Sequence, residues 1–220
     1  MDINYRKQNP LLSLEVAITS VVALVCMGLF IFVPTKGIFQ EVVLTLISLL
    51  LIPILYIKII LKEKLINFGC QLPTWREGLF IIPISFFIIS IFAWIVFRHT
   101  DFLVDYSLGG TVVAKSVWYF MLYEFLLVNF FVVVYEFFFR GFLMFYFVKK
   151  KDIWGVFIQW AVFMVFCGMS DKFSLDYIFY FISAILSGII AYKSKSLVYS
   201  YFFSIIVLVI MDVIYLKLIK

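Results

Sequence analysis

Residues 116–148 read SVWYFMLYEFLLVNFFVVVYEFFFRGFLMFYFV, and this stretch decides the fold. Only Glu124, Glu136 and Arg140 carry charge in it. At 1.5 Å per residue a helix of this length reaches ~50 Å, against a bilayer hydrocarbon core of ~30 Å. One upright span does not need that much chain, and Gly141 offers a place for it to bend. Lys149-Lys150-Lys151-Asp152 close the run.

Outward from it the pattern repeats. Apolar runs cover roughly Leu11–Val33, Ile38–Leu61 and Gly78–Phe97 before it, and Ile153–Met169, Tyr177–Tyr192 and Leu197–Leu216 after it. The chain is 65% hydrophobic and 14% charged, with a mean hydropathy of +1.14. A soluble domain of 220 residues has no interior large enough for that apolar surface. The expected fold is all-α, a polytopic membrane bundle of about seven transmembrane helices in one domain, residues 1–220. The number of spans around 116–148 is the open point. Met1–Pro10 is polar, and the run after it is long enough to span, so no cleavable signal peptide is expected.

The charges orient the bundle. With seven spans, Arg6, Lys7, Lys58, Lys62, Lys64, Arg76, Lys149, Lys150, Lys151, Lys193 and Lys195 lie on the N-terminal side, eleven in all. Lys36, Arg98, Lys115, Lys172, Lys217 and Lys220 make six on the other. The N terminus is expected in the cytoplasm of a cell-membrane protein. The net charge of +5 is this lysine excess, so no nucleic-acid partner is expected. Cys26, Cys70 and Cys167 form neither a CxxC pair nor an even framework, which excludes a disulfide scaffold or zinc ribbon. Gly109-Gly110 has no accompanying basic residue or helix cap, so it reads as a loop turn.

Charges inside spans are the candidates for function, since each costs about 2.5–3.5 kcal/mol at a helix centre. Glu15 and Glu41 lie near helix ends and read as interfacial. Glu124 is deeper, and structural and functional readings both stay open for it. Glu136 and Arg140 are four residues apart on one helical face, with the glutamate N-terminal, the favoured order for an ion pair. Either the pair pins helices together, or the arginine orients the carboxylate as in a hydrolytic site.

Tyr135-Glu136-Phe137-Phe138-Phe139-Arg140-Gly141-Phe142 resembles the Glu-Glu-x-x-x-Arg-Gly signature of the CPBP family, which comprises CAAX-type prenyl-protein endopeptidases and bacteriocin-processing or immunity membrane proteins. Phe68-Gly69 with Trp75–Gly78 is similar to the family's lead into a helix, and Lys149–Lys151 follow where basic residues are expected. Phe163–Cys167 matches the position of the second motif, Phe-x-x-x-His, and Gly188 to Leu197 resembles the small-residue helix and turn before the third. Residues 65–212 follow this plan.

The resemblance implies an intramembrane metallo-endopeptidase, but the chain departs from it at the positions that matter. The base that activates water is replaced by Tyr135, and the histidine of the second motif by Cys167. The third motif, His with Asn or Asp four residues on, falls on Ser204 and Leu208; a one-turn slip pairs Leu208 with Asp212 and still supplies no histidine. The single histidine, His99, reads as a solvated loop residue. Glu136, Cys167 and the weaker candidate Asp212 are the remaining groups able to bind a metal. Glu136 and Arg140 are the remnant of the catalytic signature.

The expected function is therefore non-catalytic: binding, immunity or escort of a membrane or envelope protein or peptide, in the lipid bilayer and without a cofactor. The alternative is a divergent endopeptidase, with zinc, acting on prenylated or leader-bearing peptides. A small transporter is a second alternative, disfavoured because few charges line the spans and no inverted repeat is visible.

Overall fold

The computed structural model describes residues 10–73, 75–99, 116–170 and 178–218. Seven helices account for most of them: α1 (Pro10–Phe32), α2 (Ile38–Ile60), α3 (Trp75–His99), α4 (Val117–Lys151), α5 (Trp154–Met169), α6 (Ile178–Ser194) and α7 (Leu197–Leu218). A 3₁₀ turn, Leu65–Phe68, lies between α2 and α3. There is no strand among the described residues. Helices α1, α2, α3, α4 and α7 are long and apolar enough to cross a membrane, and α5 and α6 are shorter apolar helices. The expected all-α polytopic bundle is what forms. Gly109-Gly110 falls outside the described residues. His99 ends α3 and is exposed, so it belongs to a helix terminus and not to the loop.

Side chains divide as the bilayer demands. Phe80, Phe87 and Trp94 of α3 stand outward, with Phe87 67% exposed, where lipid replaces water. Hydroxyls inside the spans return their protons to their own helix: Thr45 donates to the Glu41 carbonyl at 2.7 Å and Ser48 to that of Leu44 at 2.7 Å. Two cores result. One joins α1, α2, α4, α5 and α6 around Phe138, Phe139 and Phe142; the other joins α3, α6 and α7 around Phe179, Phe203 and Val207.

Helix α4 is one continuous element of 35 residues and not two. Its hydrogen bonding widens to the i→i+5 pattern over Tyr123–Val128 and Glu136–Met144. Such wide turns in a helix are frequent at functional sites. All nine residues of the second segment are buried, because α2, α5, α6, α7 and the 3₁₀ turn surround it. Gly141 serves this close approach: a Cβ there would stand 3.1 Å from a Leu197 methyl and 3.3 Å from the Phe68 carbonyl oxygen.

At one end of the bundle two connections, α2 to α3 and α6 to α7, are stitched together. The Leu197 amide donates to the Gly69 carbonyl at 2.9 Å, Gln71 Nε2 donates to the Lys195 carbonyl at 2.8 Å, and the Ser196 hydroxyl donates to the Gln71 carbonyl. Gly69 sits at φ +81°, and the Phe145 ring occupies the space a side chain would need, 2.4 Å from an ideal Cβ. Lys62, Lys64, Lys149, Lys150, Lys151, Lys193 and Lys195 all belong to these connections or to the helix ends beside them.

Candidate functional site

The wide segment of α4 presents Glu136 to α7 and Arg140 to α6. Glu136 and Arg140 form an ion pair at 3.0 Å with both side chains almost wholly buried. The carboxylate is also hydrogen-bonded from across the interface. Ser204 Oγ donates to Oε1 at 2.6 Å and Ser200 Oγ donates to Oε2 at 2.8 Å. A carboxylate left unpaired in hydrocarbon is costly, and two hydroxyls plus a guanidinium offset that cost.

Arg140 leans away from the serines toward α6, where its Nη2 donates to the Ala184 carbonyl at 3.5 Å. Gln159 of α5 donates to the same carbonyl at 3.1 Å. Gly188 makes this reach possible, since a Cβ there would lie 2.8 Å from Gln159 Nε2. Four helices thus converge on a polar knot inside apolar walls.

The candidates named from the sequence separate. Glu136, Arg140 and Ser204 come together. Tyr135 points elsewhere, edge-on to Phe30 and Phe139 at 6.3 Å and to Phe166 at 6.1 Å between ring centres. Cys167 is buried in the same aromatic core. Leu208 is buried one turn beyond Ser204. Asp212 is not drawn to Glu136: it lies against Glu124 near the far end of the α4–α7 contact, with both residues buried. Glu136, Cys167 and Asp212, the remaining candidate metal ligands, do not come together as a group able to hold a metal. Ser200 and Gln159 were missed. The signal for Ser200 was present, because Ser196, Ser200 and Ser204 recur every four residues and all three are buried. Gln159 stands four residues before Phe163 on the same face, and its signal was present too, as the one amide in the apolar run Ile153–Met169.

The zinc that an endopeptidase of this kind implies does not fit this donor set. A catalytic zinc takes three protein ligands and an open position. No three His, Cys, Asp or Glu side chains converge among the described residues. Around Glu136 the neighbours are hydroxyls and a guanidinium, and a fixed positive charge 3.0 Å from the carboxylate opposes a second cation there.

These features define the class: a polytopic helix bundle with a buried glutamate and arginine one turn apart on its central helix. Residues 116–210 match the family model of the type II CAAX prenyl endopeptidases, Rce1-like. That segment is similar to the Rce1-like endopeptidases, consistent with the resemblance of the signature around Glu136 to the CPBP family. No curated protein and no solved structure gives a significant match.

Proposed function

We propose that this chain is a non-hydrolytic, Rce1-like membrane protein whose role is to bind: immunity toward a bacteriocin, or escort of a membrane or envelope protein or peptide. The observation that carries this reading is the engagement of both Glu136 oxygens. Its Oε1 meets Arg140 and Ser204, and its Oε2 meets Ser200, so both oxygens already have partners. A general base needs a basic group within hydrogen-bond reach of a water. At the position beside it stands Tyr135, a phenol with an unperturbed pKa of ~10. The lysine-rich end faces the cytoplasm of the cell membrane in this reading, following the positive-inside rule.

The family match at residues 116–210 favours the rival, an endopeptidase acting on prenylated or leader-bearing peptides. A cleavage assay on both peptide classes with the purified full chain separates the two. The binding reading expects no turnover above a Glu136→Gln control. Cleavage abolished by that substitution would overturn it.

A further inference from the structure

The lysine-rich end holds an open cavity of about 460 Å³ enclosed by the ends of α4 and α6 and the segment after α2. Two cations line it, Lys193 and Lys195, and one acid, Asp152. The acid is engaged, since the Tyr192 hydroxyl donates to Asp152 Oδ1 at 2.6 Å. Neither lysine forms an ion pair among the described residues, in contrast to Lys149 with Glu63 and Lys150 with Glu15. Orientation of the bundle by the positive-inside rule accounts for lysines at this end. It does not account for two that line a preformed cavity with no carboxylate held to either, Lys193 lying 5.8 Å over the Tyr192 ring centre.

The backbone adds a second, separate observation. Three non-glycine residues have positive φ among the described residues: Lys62 at 54°, Asp152 at 53° and Lys195 at 53°. They directly follow α4 and α6, or lie just past the end of α2, where a glycine normally takes this conformation without strain. Two of the three line the cavity. Strained backbone of this kind clusters at active sites and ligand clamps. The hydrogen bonds that tie Gly69 to Leu197 and Gln71 to Lys195 hold the rim in place, so a ligand finds the site ready.

The surroundings identify the occupant. Ile66, 53% exposed, shares the lining, and Leu72, 87% exposed, follows Gln71 on the same rim. Trp154, 65% exposed, opens α5 at the same end, the place where tryptophan sits at the headgroup level. A free anion has no use for exposed aliphatic neighbours, whereas a phospholipid presents a phosphate and acyl chains together. The C-terminal ends of α2, α4 and α6 contribute about −0.5 charge each, less than the lysine excess around them. We propose that this cavity binds the phosphate headgroup of an anionic phospholipid, with Lys193 and Lys195 as its cationic contacts. Basic pockets between transmembrane helices are suited to such headgroups.

The test uses the full chain in detergent and reads thermal stabilisation by mixed micelles of phosphatidylglycerol, of phosphatidylcholine, and by inorganic phosphate alone. Phosphatidylglycerol is expected to stabilise most, with an apparent affinity that weakens about fivefold per lysine removed. Lys193→Gln and Lys195→Gln are to show this loss, and Lys36→Gln, at the other end, is not. Lys195→Gly guards against a folding artefact. It relieves the positive φ, so stability in phosphatidylcholine is expected to hold or rise while the phosphatidylglycerol preference falls. Equal stabilisation by both lipids, or an unchanged preference in Lys195→Gly, would overturn the site. Inorganic phosphate matching phosphatidylglycerol would overturn its assignment to a lipid.

Discussion

Ser204 donates its hydroxyl proton to Glu136 across 2.6 Å, joining two helices whose residues are 68 positions apart in the chain. The same carboxylate carries the Arg140 ion pair at 3.0 Å. Glu136 is therefore the joint between the wide segment of α4 and the first half of α7.

The ion pair is expected to behave as a unit. Removing one partner strands a charge among apolar walls, a loss of about 3–5 kcal/mol for buried pairs. Glu136→Gln and Arg140→Met are each expected to lower the thermal midpoint in detergent, and the double variant to lose less than the two together. Strictly additive losses in that double-mutant cycle would show that the two residues act independently.

The serines are expected to share the burden unequally with the arginine. A hydrogen bond to a charged group contributes about 1.5–3 kcal/mol. Ser200→Ala and Ser204→Ala each take one from a buried carboxylate. Each is expected to destabilise in that range, measured by the same unfolding assay, and Ser200→Ala by the smaller amount. Ser200 divides its hydroxyl between Glu136 at 2.8 Å and the Leu197 carbonyl at 3.0 Å, whereas Ser204 directs its own at Glu136. Loss of neither midpoint would mean that Arg140 alone sustains the carboxylate.

How far this joint was legible in the sequence depends on the residue. The helices were, because apolar runs longer than a bilayer is thick have one structural solution. The pairing of Glu136 with Arg140 was, because both lie on one helix and local spacing fixes their meeting. The partners on α7 were half legible. Ser204 came from motif spacing, and Ser200 needed the four-residue recurrence to be taken as a face. Asp212 could not be placed from spacing alone, since which part of α4 it meets is set by how far the two helices overlap. That overlap takes it to Glu124. The number of spans around 116–148 stayed open for another reason: composition does not encode the widened i→i+5 turns of the single helix that fills the stretch.

Orientation has a direct probe in the native cysteines. Cys26 and Cys167 are buried, and Cys70 is exposed at the lysine-rich end. A membrane-impermeant maleimide is expected to leave intact cells unlabelled and to label Cys70 once the membrane is opened. A Cys70→Ser control identifies the site. Labelling of Cys70 from outside intact cells would place the lysine-rich end, and with it the N-terminal side of α1, outside.

The final expectation concerns metal. Purified without chelator, the protein is expected to hold no stoichiometric zinc, as read by elemental analysis. The reasoning is ligand chemistry. Zinc is bound by thiolate, imidazole or carboxylate, and a hydrolytic centre needs three of them with a free position for water. Glu136 supplies one carboxylate, but Arg140 at 3.0 Å and two serine hydroxyls already surround it. Serine is a weak neutral ligand, and Leu208 is none. Asp212 is committed to the Glu124 end of the interface. Cys167 lies in the aromatic core with Phe163 and Phe166 and completes no group of three metal-binding side chains among the described residues. Zinc added during purification is accordingly expected to wash out, and Cys167→Ala to leave the residual metal unchanged. One zinc per chain, lost in Glu136→Gln, would restore a metal centre at this site and with it the peptidase reading.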